Sequence, residues 1–237
     1  MTSIESILDR QFRRWENEIK ERRESADRAT PPAKIITISR EKGSRGSFLG
    51  QIVAGKLRFQ LLHRDIIDAV CASSGYYRRL IESLDDHVRS DLSVAVESMI
   101  AGQSVDYSDY IEHLHRVMLS MSELGGVVVI GRGGNFILGP NRGFHLRVVA
   151  PIDNRIENLC AYRHMSRTEA EKQVHRYDDE RRHFAKHVFG RNIDDPHFYD
   201  LVVNTALTDI DTLANLVMQA YNAKVSVLST HHALAHQ

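Results

Sequence analysis

The segment from Ile35 to Ser47 limits the folds open to this chain more than any other. Ile35-Ile36-Thr37-Ile38 is a β-branched, apolar run and reads as a buried strand. Gly43-Ser44-Arg45-Gly46-Ser47 then forms a loop that opens a helix. A strand feeding a helix through such a loop builds an anion site, because the first N–H groups of a helix lack an intrahelical acceptor. The segment lies close to the G-x-x-x-x-G-K-[ST] pattern of phosphate-binding P-loops. On that frame Arg40 takes the place of the first glycine and Arg45 that of the second. Gly46 takes the place of the lysine, and Ser47 that of the closing hydroxyl residue. The loop's shape is kept and its lysine is missing.

Beyond this segment, strand and helix patterns alternate. Further strands are expected at 60–63, 127–130, 144–149 and 201–203, with helices at 47–58, 64–74, 152–164, 166–188 and 209–222. Residues 78–124 hold no strand pattern and read as two or three helices, with breaks near Gly102 and Ser108. Strands separated by helices imply an α/β fold: a parallel sheet of about five strands with helices on both faces. The helical stretch 78–124 is too long for a plain crossover and reads as a lobe. The main domain is expected at 34–222, with a polar, frayed tail at 225–237.

Residues 1–30 form an arm ahead of the first core strand. Ile4, Leu8, Phe12, Trp15 and Ile19 share one helical face, while charged residues fill the rest, and Pro31-Pro32 end the helix. Such a stripe buries against its own domain or against a partner, including a second copy of the chain; periodicity alone does not separate the two. Lys+Arg and Asp+Glu both number 31, which argues against a protein built mainly to grip nucleic acid. Cys71 and Cys160 are far apart and read as reduced thiols. No apolar run approaches the length of a membrane span and no leader is seen, so a cytoplasmic protein without a membrane partner is expected.

Ligands of open parallel sheets bind at the carboxyl ends of the strands. Ser39, Arg40, Lys42, Gly43, Ser44, Arg45, Gly46 and Ser47 follow the first strand, and Arg64-Asp65 the second. Gly131-Arg132-Gly133-Gly134 follows the third, and a helix with Arg155 and Arg163 the fourth. Arginine forks suit phosphate oxygens. Asp178, Arg181 and Arg182 share one turn of a later helix, either as a cationic lid over a transferring phosphoryl group or as a solvated, ion-paired face. His183 and His187 stand at metal-binding spacing but lack the glutamate of H-E-x-x-H and any evident third ligand.

The run Ile36-Thr37-Ile38-Ser39-Arg40-Glu41-Lys42-Gly43-Ser44-Arg45-Gly46 resembles the opening motif of the cytidylate kinase-like family, an atypical branch of the P-loop nucleoside monophosphate kinases. Arg64-Asp65, Val129-Ile130-Gly131-Arg132-Gly133, Ala150-Pro151 with Arg155, Asp178-Asp179-Glu180-Arg181, and Tyr199-Asp200-Leu201-Val202-Val203-Asn204-Thr205 resemble its later motifs in the same order. The likeness spans about 34–222. It implies the three-layer kinase sandwich, an acceptor-binding lobe at 78–124 and a lid at 164–195. It further implies phosphoryl transfer from ATP, with Mg2+, to a nucleoside monophosphate such as CMP or dCMP. In that scheme residues 39–47 wrap the donor phosphates and Ser47 is the magnesium-side hydroxyl. Arg155 and Arg163 lie near the donor, Asp65 and Arg132 hold the acceptor, and Arg181 is the lid arginine, oriented by Asp178, with Arg182 beside it. The chain departs from true cytidylate kinases at Gly46, Ile66-Ile67 and Gly133. A nucleotide- or anion-binding regulatory module that acts through a partner is the competing reading.

Overall fold

The structure is a computed structural model and describes residues 3–24, 35–84, 86–100 and 108–235. The expected break at Gly102 lies outside the described residues. The chain divides into two compact units, Met1–Ile35 with Leu62–Gly126, and Ile36–Leu61 with Val127–Gln237.

The second unit is built on a five-stranded sheet in the order β2-β3-β1-β4-β5. Its strands are β1 (Ile36–Arg40), β2 (Gln60–Leu62), β3 (Val127–Ile130), β4 (Phe144–Val149) and β5 (Leu201–Asn204). β1 runs parallel to both β3 and β4, with Ile38 opposite Ile130 on one side and Leu146 on the other. β4 and β5 are also parallel. Because strand side chains alternate, β1 and β4 sort their residues by face. Ile36, Ile38, Phe144, Leu146 and Val148 join one core with Leu49 and Val53 of α2 (Gly46–Leu57) and Val217 and Tyr221 of α10 (Ile210–Ala235). The other face of the same strands carries Thr37, His145 and Arg147, all buried. There the Thr37 hydroxyl donates to His145 Nδ1 at 2.7 Å, and His145 Nε2 donates to the carbonyl of Gly139 at 2.8 Å. Gly139 caps α7 (Gly134–Leu138), which therefore covers this second face.

α8 (Ile152–Arg163) and α9 (Arg167–Phe189) form a hairpin around Ile156, Leu159, Ala170 and Val174. Ser166 starts α9 by accepting from the Glu169 N–H at 3.2 Å, and Gly190, at φ 65°, ends it. α10 runs to Ala235, so most of the stretch expected as a frayed tail is helical. Val225 of that stretch packs against the sheet core, which extends the helix past the polar residues that suggested an end at 222.

The first unit is helical: α1 (Ile4–Glu24), α3 (Arg64–Ala72), α4 (Ser74–Glu82), α5 (Asp86–Ile100) and α6 (Ser108–Leu124). α1 is part of this unit, not an appendage. Leu8, Phe12 and Trp15 are each at most 2% exposed. Phe12 stacks on Tyr76, Trp15 Nε1 donates to the Gly125 carbonyl at 3.0 Å, and Arg79 pairs with Asp9 and Glu16. This much of the apolar stripe is covered by the chain itself, which leaves Leu8, Phe12 and Trp15 unavailable to a partner. The side chain of Ile19 is outside the described residues.

Candidate phosphate-binding site

The loop between β1 and α2 lies at the carboxyl edge of the central strand. Arg45 caps α2 with a left-handed backbone, φ 59° and ψ 13°, and no side-chain cap. This is the place of the second glycine in the P-loop pattern, so the chain adopts the glycine conformation with an arginine. Non-glycine residues in this region cost about 1–3 kcal/mol and cluster at functional sites. The Arg45 side chain accepts no hydrogen bond from the first turn, and N–H groups at a helix start are ready donors to an anion.

A second feature holds the loop. Asp178, on the middle of α9 and 7% exposed, accepts from the Lys42 backbone N–H at 2.8 Å and from Arg181 at 3.2 Å. It also receives a short hydrogen bond from Arg155, itself only 8% exposed. Arg181 Nη1 donates to the carbonyl of Arg40 at 3.0 Å. Arg155 Nε, which has no hydrogen bond, lies 3.5 Å from Glu41 Oε2, whose same oxygen accepts from the Ala150 N–H at 3.0 Å. Asn158 donates to the carbonyl of Gly43 and Thr205 to that of Ser44. The loop is thus tied by its carbonyls and by the N–H groups of Glu41, Lys42 and Ser44, which donate to Val148, Asp178 and Glu41. Gly43 is required here: its φ is +82°, and a β-carbon would stand 2.4 Å from the Arg155 carbonyl oxygen.

The side chains around the loop are cationic. Lys42 is pulled below its ordinary pKa by burial first, then by Arg181, Arg163, Arg40 and Arg176. Its ammonium sits 4.2 Å from the centre of the Tyr177 ring. Arg45 lies over the rings of Phe48 and Tyr162, both substantially exposed. Four guanidinium groups push the Lys42 ammonium toward its neutral form, two of them paired, Arg181 with Asp178 and Arg176 with Glu180, and an anion beside Lys42 would offset that push.

The structure thus gathers Ser39, Arg40, Lys42, Gly43, Ser44, Arg45, Gly46, Ser47, Arg155, Arg163, Asp178 and Arg181 into one region. Arg155 is buried and paired with Asp178, which makes it a strut beneath the loop. Arg182 turns to Asp179 at 2.6 Å, both exposed, so it fits the ion-paired surface reading. Arg132 lies between Gly131 and Gly133, and all three have positive φ; its guanidinium sits 5.6 Å from the Phe184 ring centre. Asp65 opens α3 in the helical unit, its carboxylate 76% exposed beside Arg64. That unit also holds a cavity of about 560 Å³ lined in part by Tyr77, Arg78, Glu82, Arg89 and His113. His183 and His187 stack on each other, and no cluster of three or more metal-ligating residues occurs among the described residues. Cys71 and Cys160 are free thiols. Among the described residues no helix is long and apolar enough to cross a membrane.

Sequence reasoning missed Glu41, Asn158 and Arg147. Arg147 donates to Ser39 Oγ at 2.9 Å and to Asp194 at 2.6 Å from a strand that is otherwise nearly all apolar. A lone arginine in such a strand was the available signal, since charges are almost never buried unpaired.

A parallel sheet with a glycine-bearing loop running into a helix at its central strand defines a nucleotide kinase-like α/β fold. The chain matches the cytidylate kinase-like family over residues 35–207 and belongs to it. Its fold is similar to that of an uncharacterized protein from Eubacterium ventriosum, with a TM-score of 0.55 and 16% identity over 80% of this chain and 98% of that one. A solved protein of Thermus thermophilus aligns over the same shares at a TM-score of 0.41 and 18% identity. A curated uronate isomerase of Corynebacterium glutamicum is 31% identical over 100 residues, which are 42% of this chain. The matched stretch spans about a fifth of that relative, 19% of its length.

Proposed function

We propose that the chain transfers a phosphoryl group from ATP to a nucleoside monophosphate, CMP or dCMP being the first candidates. The observation that carries this reading is the cationic ring of Arg40, Lys42, Arg163, Arg176 and Arg181 around a loop at a helix start. Such a ring matches phosphoryl transfer, in which positioning and charge neutralisation supply most of the catalysis. The loop's N–H groups and Lys42 would bind the donor phosphates. Arg181, fixed by Asp178 and by the carbonyl of Arg40, would face the transferring group. Arg132 would bind the acceptor phosphate. Asp65 would be the helical unit's acceptor-side residue, as the family resemblance implies. Mg2+ fits the donor set sparsely, through the Ser47 hydroxyl in the first turn of α2, because Asp178 is committed to arginines. That ion usually keeps several waters and takes further oxygens from phosphates, where it neutralises charge.

ADP release from Mg-ATP against a panel of ribo- and deoxyribonucleoside monophosphates tests the proposal. Turnover with a pyrimidine acceptor is expected, reduced at least about tenfold by Arg132→Ala and by Arg181→Ala. Full activity in both variants would refute it. One observation favours the regulatory module instead: Asp178 already occupies the Lys42 N–H. Acceptor-dependent ADP release that Arg181→Ala abolishes would exclude that alternative.

A further inference from the structure

We infer that Arg40 supplies, from the end of β1, the phosphate-binding cation that position 46 does not carry; the inference rests on the phosphate-binding reading of the loop. A β-carbon at Gly46 would lie 2.6 Å from Arg40 Cβ, 3.2 Å from Arg40 Cγ and 3.1 Å from Val148 Cβ. The first distance is shorter than real side chains tolerate, and Arg40 Cβ is fixed to the backbone. No side chain, lysine included, fits at the first residue of α2 while Arg40 is present. The stem of Arg40 fills the space through which a lysine at 46 would leave the helix.

The far end of the same side chain is also placed. A β-carbon at Gly131 would meet Arg40 Nη1 at 2.9 Å. Arg40 therefore runs from the end of β1, across the start of α2, to the loop that follows β3. Two glycines, at 46 and 131, together make room for one arginine. Against the P-loop pattern the exchange is reciprocal: glycine and lysine there, arginine and glycine here at positions 40 and 46. The other cations near the loop leave the backbone from other positions and do not cross the start of α2, so Arg40 adds to Lys42 there. Arg45 lies over Phe48 and Tyr162, the Lys42 ammonium over Tyr177, and Arg155 beneath the loop against Asp178. Arg40 also shares a small cavity with Arg147, Arg181 and Arg182 and with the carboxylates of Glu41 and Asp178, so the charged groups lining it are positive by four to two. The ligand class this arrangement fits is a polyphosphate chain, as in the tail of a nucleoside triphosphate.

The test is calorimetric binding of inorganic tripolyphosphate and of Mg-ATP to the full chain. The variants are Arg40→Met, Arg40→Lys, Arg40→Gly, Arg40→Gly with Gly46→Lys, and Arg142→Ala as an exposed-arginine control. Loss of one charge-assisted contact should weaken binding by about tenfold or more in Arg40→Met, whereas Arg40→Lys stays within about threefold of the parent. The double variant should bind about tenfold more tightly than Arg40→Gly, because the lysine then has its position and only the 3.1 Å approach of Val148 Cβ to relieve. Arg142→Ala should bind as the parent does. Parent-like binding by folded Arg40→Met would overturn the inference, as would absence of tripolyphosphate and ATP binding by the parent chain. If the double variant does not fold, the Met and Lys variants decide. Binding that depends on Arg40, without turnover on any acceptor, would refute the kinase reading and uphold this one.

Discussion

Replacing Asp178 by alanine isolates what holds the loop in shape. The carboxylate is 9% exposed and serves three donors: Arg155, Arg181 and the Lys42 N–H. Its loss strands the Arg155 guanidinium, which is 10% exposed. Removing one partner of a buried ion pair costs about 3–5 kcal/mol, most of it from the charge left behind. Glu41 Oε2 remains 3.5 Å from Arg155 Nε, so the low end applies, about 3 kcal/mol. For a chain of this size that lowers Tm by roughly 6–12 °C. Urea unfolding followed by far-ultraviolet circular dichroism measures the loss, and hydrogen exchange should show the Lys42 amide released. Adding Arg155→Met removes the orphaned charge and should recover at least about half of the deficit. Stability within about 1 kcal/mol of the parent, or no recovery in the double variant, would refute the claim that this pair pins the loop.

Three more outcomes are expected. Gly43→Ala, with φ +82° and a backbone oxygen 2.4 Å from the new carbon, should cost at least about 2 kcal/mol and weaken ATP binding, while Gly55→Ala in α2, with open space around it, should stabilise by about 0.5–1 kcal/mol; denaturation midpoints give both signs. His145 is held at about 4, chiefly by burial, with Lys224 adding to the effect and the Gly139 carbonyl and Asp200 opposing it. Below pH 6.5 the unfolded chain binds a proton that the folded chain refuses, so stability should fall by about 3 kcal/mol from pH 6.5 to 4, and His145→Gln should flatten that slope in melts across the range. The chain's single tryptophan, Trp15, is 2% exposed in the helical unit, so its blue-shifted emission should follow unfolding of that unit, and Trp15→Ala should cost about 3–5 kcal/mol.

The sheet was legible because its strands are written as buried parallel strands usually are. Val127–Ile130 and Phe144–Val149 are short, largely apolar runs between helical patterns, and both form at the expected positions. α7 was not legible: its five residues start behind left-handed Gly133, and glycines after a strand signal a turn as readily as a helix. The periodicity of α1 announced a buried face but could not say what covers it; Tyr76 and Gly125 do so, from segments far along the chain. The same limit applied to Arg155. Its position after a strand end suggested a ligand contact, whereas its partners Asp178 and Glu41 lie 23 residues after it and 114 before it. Pairing over such separations follows from the register of β1 against β4 and from the packing of the α8–α9 hairpin, which no local pattern encodes.

Position 46 shows why a missing residue can be read correctly and still be misinterpreted. The sequence reports only that lysine is absent, which on its own suggests a damaged loop. In space, the parallel pairing of β1 with β4 sets Arg40 opposite Val148, and side chains of both crowd Gly46. With Arg40 present, glycine is the residue that fits, so 40 and 46 form one steric unit and must change together. A lysine introduced at 46 alone should therefore destabilise the chain by overpacking, by about 1–3 kcal/mol, and should not improve phosphate binding. The same lysine should cost less once Arg40 is glycine, with only the 3.1 Å approach of Val148 Cβ left to relieve. Urea midpoints of Gly46→Lys, Arg40→Gly and the double variant form a cycle that reads this coupling directly. Additive effects, with the double variant as unstable as the two single losses combined, would mean that the close approach of Arg40 does not govern position 46.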